Sequence, residues 1–539
     1  MIHYSPLLLG KIAGVMSIPS LFLKNFKERQ NFKVTLLRTP IVFHASALNF
    51  STVTPPLALA YLSACLRKNG FSVSNIDAVG EKIDQFGRVA PDSGLEYQGL
   101  SVDEILQRID PETDVLGVSC MFSSEWTHTR RIIKAIKKRF PKITLIAGGE
   151  HATAIPFLVM TECPEIDLVV LGEAEEAIVE VVDCLRRNGD LEKVNRIIFR
   201  KNGSTIQTAP RARIRKIDEI PWPAWDLLPL ENYLNSRSAR GTLNIRTIPM
   251  LASRGCPYEC TFCSNPNMYG RYYVTRNHED LLNEIAHYID KYQIEDVDFF
   301  DLTTITKRKW ILQFCDSIIQ KKLKFVWRIT GGTRTEAIDE EVIIKAKQAG
   351  CEYLGFAPES GSEEILKAVK KQVNIKRMYE LFKIAVKHNI STKSNFIIGF
   401  PRETRKQIYA TLFLQMKLAF VGVSDSPIFE FMPYPGCEET DYLIKNNHLK
   451  MDDEYFDSLT TNISLTKKKR YCENVGPLEL YFYRISGLSL YYFVYYLIRP
   501  FRFFKFMKNF WGNQVFNSIF EQRIMENLNK FKKRAARSF

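Results

Sequence analysis

Twice along this sequence, short apolar runs alternate with amphipathic helical stretches, and a proline-rich interval separates the two series. Nothing else constrains the fold as strongly, because strands joined through helices pair in parallel. The first series begins near Phe32, with strand candidates FKVTLLRT, FSVSNIDA, DVLGVSC, ITLIAGG and DLVVLGE. Helical patterns accompany them: PPLALAYLSACLRKNG, with proline at its start and Gly70 at its end, then HTRRIIKAIKKRF and EAIVEVVDCLRRNG. A doubly wound α/β domain over residues 32–195 is predicted. Residues 196–245 contain Pro210, Pro221, Pro223 and Pro229 and read as a linker draped over a neighbour.

The second series fills residues 246–440. Strands are expected at 247–252, 296–301, 325–330, 352–357, 394–400 and 426–432. Six β/α units fall short of the eight that close a TIM barrel, so an open, partial (β/α)6 barrel is expected. Residues 441–539 form an aromatic, basic and helical extension. Residues 1–31 are an apolar arm interrupted by Lys11 and lacking a cationic leader. The arm reads as loosely packed chain or as an interfacial helix.

Eleven cysteines, an odd number scattered over 539 residues, argue against a secreted disulfide framework and for a reducing compartment. Three of them crowd into SRGCPYECTFC as Cys256, Cys260 and Cys263, directly after the first barrel strand, where barrel active sites are built. Structural zinc takes four ligands, and no second CxxC or HxxxH partner follows. An iron–sulfur cluster suits three thiolates on one loop, with one iron of a [4Fe–4S] cube left open for a ligand.

C-x3-C-x-aromatic-C, realised as Cys256, Cys260, Phe262 and Cys263, resembles the signature of radical S-adenosylmethionine (SAM) enzymes. The resemblance implies that the open iron binds the amino and carboxylate groups of SAM, and that cluster reduction yields a 5′-deoxyadenosyl radical. The three cysteines are then the catalytic and metal-binding residues. PESGSEEILKAVKK resembles the fourth-strand segment that contacts SAM, which implies Glu359 and Ser360. NFIIGFPRET, with Gly399, resembles the segment beside the adenosine, and FMPYPGCEET the close of the barrel. Arg334, after the third strand, is a candidate for the SAM carboxylate through its bidentate fork; a solvated loop arginine is the alternative. Where many relatives carry an Asp-Asp pair near the second strand, this chain keeps only Asp301.

The first domain resembles the Rossmann-like cobalamin-binding domain that precedes the barrel in one radical SAM subgroup. The residues carrying the likeness are TPPLALAYLSACLRKNGFSVSNIDA, IAGGEHATAIP and DLVVLGEAEE, and they imply cobalamin contacts at Pro55, Pro56, Gly148, Gly149, His151, Gly172 and Glu173. The usual glycine of the last segment is Ala174. None of the eight histidines sits in a D-x-H-x-x-G motif, so no lower axial histidine is implied. A ligand-free Rossmann-like domain is the alternative.

The resemblance implies methyl transfer to an unactivated carbon of a small metabolite, with a reducing partner such as flavodoxin or ferredoxin, and the aromatic, basic tail points to a lipophilic one. The enzymatic alternative is oxidative cyclisation or rearrangement of the anaerobic porphyrin cyclase type. A non-catalytic cobalamin-binding or sensing protein is the alternative of another class.

The net charge of +14 is concentrated in the tail: residues 484–539 hold eleven Lys/Arg against two Asp/Glu. Ile485–Ile498 is uncharged but short for a bilayer span. RPFRFFKFMKNFWGNQVF then interleaves cations with aromatics. A peripheral contact at the inner face of a membrane and a helical cap on the barrel both fit, with nucleic-acid binding not favoured. A cytoplasmic enzyme is expected.

Overall fold

In the computed structural model, residues 32–46, 53–91, 93–237, 245–461, 469–510, 518, 520–522 and 524 are described; the expected arm and the end of the tail lie outside them. Buried apolar runs form the parallel strands β1 (Lys33–Arg38), β3 (Val115–Ser119), β4 (Thr144–Gly148) and β5 (Leu168–Val170), joined at the sheet edge by the more exposed β2 (Ser72–Asp77). Their order is β2-β1-β3-β4-β5, with Val34 beside Val73 on one side and Val115 on the other. Helices α1 (Leu57–Lys68), α2 (Trp126–Arg139) and α3 (Glu175–Arg186) cover the faces. Strand order reverses between β1 and β3, and open sheets bind ligands at the carboxyl ends beside such a reversal.

The predicted linker boundary is corrected. β6 (Ile197–Lys201) and β7 (Ser204–Gln207) extend the first sheet antiparallel to β5, with Leu168 opposite Phe199. Asn202 and Gly203 between them both have positive φ, as a two-residue hairpin turn requires. Farther along, the helix Leu230–Ser236 presents Tyr233, whose hydroxyl donates to Asp77 Oδ2 at 2.6 Å. That stretch is therefore packed onto the first domain.

Six parallel strands build the second unit in sequential order: β8 (Thr247–Met250), β9 (Asp296–Phe299), β10 (Val326–Thr333), β11 (Cys351–Glu359), β12 (Ser391–Ile398) and β13 (Ile428–Glu430). β8 and β13 do not pair, so the barrel is open. Alternation sends Ile248, Met250, Val297 and Phe299 outward into a core with Leu281 and Phe314. The other face is polar: Arg328 Nε donates to Asp296 Oδ2 at 2.7 Å, and Thr330 Oγ1 to Asp298 Oδ2 at 2.8 Å. A polar lumen is what a bed for a charged ligand needs.

The C-terminal extension touches both units. A helix over Asp453–Ser458 returns to the first domain, where Arg130 Nη2 meets Asp453 at 2.6 Å and Thr127 Oγ1 donates to Asp457 at 2.6 Å. Helix α4 (Arg405–Val421) belongs to the barrel, and α5 (Pro477–Ile498) runs parallel to it. Arg405 pairs with Glu479 at their starts, and Arg499 donates to the carbonyls of Ala419 and Phe420 at their ends. Tyr491 and Tyr495 point into the core as a cap would, while Phe482, Phe493 and Leu497 remain exposed. Helix α6 (Pro500–Phe510) follows. Among the described residues, no helix is long and apolar enough to cross a membrane.

Candidate active site at the barrel mouth

The cysteine loop hangs from β8 by a short ribbon, Ser253–Gly255 against Tyr273–Thr275. Asp301, at the end of β9, accepts from the Ala252 amide at 3.1 Å and from the Ser253 hydroxyl. Burial raises its carboxyl to about pH 6. Gly255 has φ +87°, and a Cβ there would collide with the Tyr272 carbonyl. Glycine before Cys256 is thus a steric requirement.

Farther along, Thr261 donates from its amide to the Val369 carbonyl at 3.1 Å and from its hydroxyl to Glu439 at 2.8 Å. Cys263 N donates to Cys260 O at 3.1 Å, and Ser264 donates to Glu150 of the first domain. Phe262 packs against Phe400, ring centres 5.5 Å apart, and so anchors the loop in the core. The three thiols are half-buried and form no disulfide. Burial pushes Cys263 up to about 12 and raises Cys260, while Lys371 and Arg334 act against the rise at Cys260. Among the described residues no three His, Cys, Asp or Glu side chains converge on a single ion. A cube needs no such convergence, since each thiolate binds a different iron.

Arg334 stacks over the Tyr258 ring at 3.6 Å and donates to Glu336 at 2.9 Å and to the Gln372 carbonyl. It is therefore buried beside the loop, not solvated, and its Nη1 lacks a hydrogen-bond partner. Glu359 lies at the same rim and accepts from Lys371 at 2.8 Å. Ser360 is fully buried, shares a 3.1 Å hydrogen bond with Thr411 and accepts from the Ser362 amide, which commits it to the turn. Gly399 donates to Glu403 at the end of β12. Nearby, Asn395 Oδ1 and the hydroxyls of Thr303 and Thr304 are buried without partners.

The first domain presents its carboxyl-end edge to this loop. Gly148 ends β4, and Gly149, at φ +113°, brings its backbone against the Cys120 carbonyl. His151 is wedged between Trp126 and Phe456, hydrogen-bonds Ser123 at 2.9 Å, and burial lowers its pKa to about 3. His128, with neither ring nitrogen partnered, is lowered to about 4 by the same cause. Gly172 donates to Thr153 at 2.9 Å. Glu173 is engaged within the protein: it accepts from Arg213 and the Ile214 amide, and Arg254 of the cysteine ribbon lies 3.4 Å away. Pro56 caps the start of α1. Pro55 lines a narrow cleft between the units, with Tyr233, Thr247, Asp298 and Phe300.

The ties Glu150–Ser264, Arg254–Glu173 and Lys371–Glu359 escape sequence reasoning, because no spacing rule links residues so far apart in the chain. Gly149-Glu150 was the available hint, an acid directly at the ligand edge.

A doubly wound domain facing an open barrel that carries three loop cysteines defines a two-cofactor α/β enzyme. Residues 44–182 match the B12 binding domain family and residues 250–414 the radical SAM superfamily. An uncharacterized methyltransferase of Pyrococcus horikoshii is 31% identical over 398 residues, which is 74% of this chain and 80% of the relative. An anaerobic magnesium-protoporphyrin IX monomethyl ester cyclase of Cereibacter sphaeroides is 25% identical, covering 68% of this chain and 57% of the relative. In fold, the chain is similar to the radical SAM methyltransferase TsrM of Kitasatospora setae, with a TM-score of 0.60 at 15% identity over 77% of this chain and 75% of TsrM. The chain belongs to the cobalamin-dependent radical SAM enzymes.

Its cofactors are accordingly a [4Fe–4S] cluster, SAM and cobalamin. The residues present fit them. Beside the thiols, the uncommitted Arg334 nitrogen suits a ligand carboxylate. The first domain offers the backbone of Gly148 and Gly149, bare of side chains at its carboxyl-end edge, to a large cofactor.

Proposed function

We propose that this chain methylates an unactivated carbon of a small, lipophilic metabolite, taking electrons from flavodoxin or ferredoxin in the cytoplasm. The observation that carries the reading is the direct tie between the two cofactor beds, Glu150 to Ser264, one residue from Gly149 and one from Cys263. With all three groups bound, the chemistry supplied is radical hydrogen abstraction and methyl donation. Cys256, Cys260 and Cys263 hold the cluster, and Arg334 with Glu359 orients SAM. The first-domain edge at Gly148, Gly149 and His151 holds cobalamin. Substrate enters between the beds on the side lined by Pro55 and Asp298. The C-terminal helices bring the site to the inner face of a membrane.

The test is anaerobic, reconstituted enzyme, reduced and given methyl-deuterated SAM with a lipid extract of the source cells. Deuterated methyl in a product, together with 5′-deoxyadenosine, supports methylation. Release of 5′-deoxyadenosine with an unlabelled product assigns cyclisation or rearrangement, the activity in the cyclase relative's name. No 5′-deoxyadenosine at all would overturn the enzymatic reading.

A further inference from the structure

The outer faces of α4, α5 and α6 carry a surface that the proposed chemistry does not use. Phe413 of α4 is 63% exposed, Phe482 and Phe493 of α5 are 66% and 64% exposed, and Phe501 of α6 is 86% exposed. Exposed apolar residues recur at helical spacing on α4 as Tyr409, Phe413 and Phe420 and on α5 as Phe482, Phe493 and Leu497, while Leu414, Leu418, Tyr491 and Tyr495 are buried on the opposite sides. Scattered exposed apolar residues need no explanation, but a run of phenylalanines along neighbouring helices does.

Charge says what covers it. Across α4, α5 and α6 the single acidic residue is Glu479, and Arg405 engages both of its oxygens. The same helices carry exposed Lys406, Lys417, Lys505 and Lys508, with the Lys417 ammonium 4.5 Å from the Phe413 ring centre. A second copy of this face would bring like charges together. Aromatics fringed by cations, with no free carboxylate, complement an anionic interface that offers hydrocarbon beneath its charge.

We infer that this face docks the enzyme on an anionic lipid leaflet, with the exposed phenylalanines entering the head-group boundary and the lysines meeting the phosphates. The inference is independent of which reaction the site performs.

The test is co-flotation of the full chain, with its cluster reconstituted, with phosphatidylglycerol/phosphatidylcholine vesicles. The expected result is flotation with anionic vesicles that falls about tenfold or more on pure phosphatidylcholine and at high salt. The variant Phe413→Glu/Phe493→Glu loses flotation while 5′-deoxyadenosine formation persists. Lys505→Glu/Lys508→Glu, which leaves the apolar face intact, weakens binding to anionic vesicles specifically. Wild-type protein remaining in solution beside anionic vesicles would overturn the proposal. So would sedimentation showing a dimer that Phe413→Glu/Phe493→Glu dissociates without any vesicle binding, which would assign the face to self-association.

Discussion

Lys371 Nζ donates to Glu359 Oε1 at 2.8 Å with both side chains about nine-tenths buried, on the rim beside the cysteine loop. Glu359 also holds a left-handed backbone, φ +62°, which costs a non-glycine residue about 1 kcal/mol or more. Replacing Lys371 by Met leaves a buried carboxylate without its partner, and stability should fall by about 3–5 kcal/mol. Adding Glu359→Gln should recover much of that loss. Urea unfolding of the apoprotein across the double-mutant cycle measures both.

Each of Cys256→Ala, Cys260→Ala and Cys263→Ala should abolish iron and sulfide retention and 5′-deoxyadenosine formation, with far-ultraviolet dichroism unchanged. The contrast is Cys315→Ala, a buried thiol in the outer helical layer, which should keep full iron content at a cost of stability alone.

Gly255→Ala addresses the same loop through its backbone. The added methyl meets the Tyr272 carbonyl, and the positive φ is strained for alanine as well. Iron incorporation should drop although every ligand is present. Normal iron content in this variant would show that the ribbon can shift without moving the cysteines.

Asp301 gives a pH signature. Burial raises its pKa from 3.8 to about 6, so the folded state binds a proton that the unfolded state releases between these values. Its contribution is therefore most favourable below pH 3.8 and is lost as pH climbs through 6, by about 3 kcal/mol in all. Asp301→Asn should flatten the wild-type loss across that window in urea titrations at successive pH values.

His151 should not ligate cobalt. It is enclosed by Trp126 and Phe456 and stays neutral throughout the physiological range. The paramagnetic resonance spectrum of reduced, cobalamin-loaded protein should lack splitting from a histidine nitrogen, and His151→Phe should leave the spectrum unchanged. Splitting that disappears in His151→Phe would reverse this assignment.

All six barrel strands were readable, because short β-rich segments recur between helical patterns and send apolar residues to the helix-covered face. The cysteine spacing likewise marked the loop without help from tertiary structure. The hairpin at 197–207 was missed, although Asn202-Gly203 is a strong turn signal, because the prolines downstream coloured the whole stretch as linker. Glu173 shows a different limit. Its place at a strand end suggests a ligand contact, and no sequence signal reveals that Arg213 and Arg254, 40 and 81 residues away, pair with it. Sequence shows which residues can act at a rim, and only the packed molecule shows which of them are already occupied.

Arg254 stands two residues before Cys256, buried, with Glu175 at 2.7 Å and Glu173 at 3.4 Å. Hinging the two domains apart would tear a guanidinium from both carboxylates and drag the iron-binding loop with it, against a penalty of about 3–5 kcal/mol. The joined arrangement is therefore the strongly favoured one, and the spacing of the two beds is written into the resting fold.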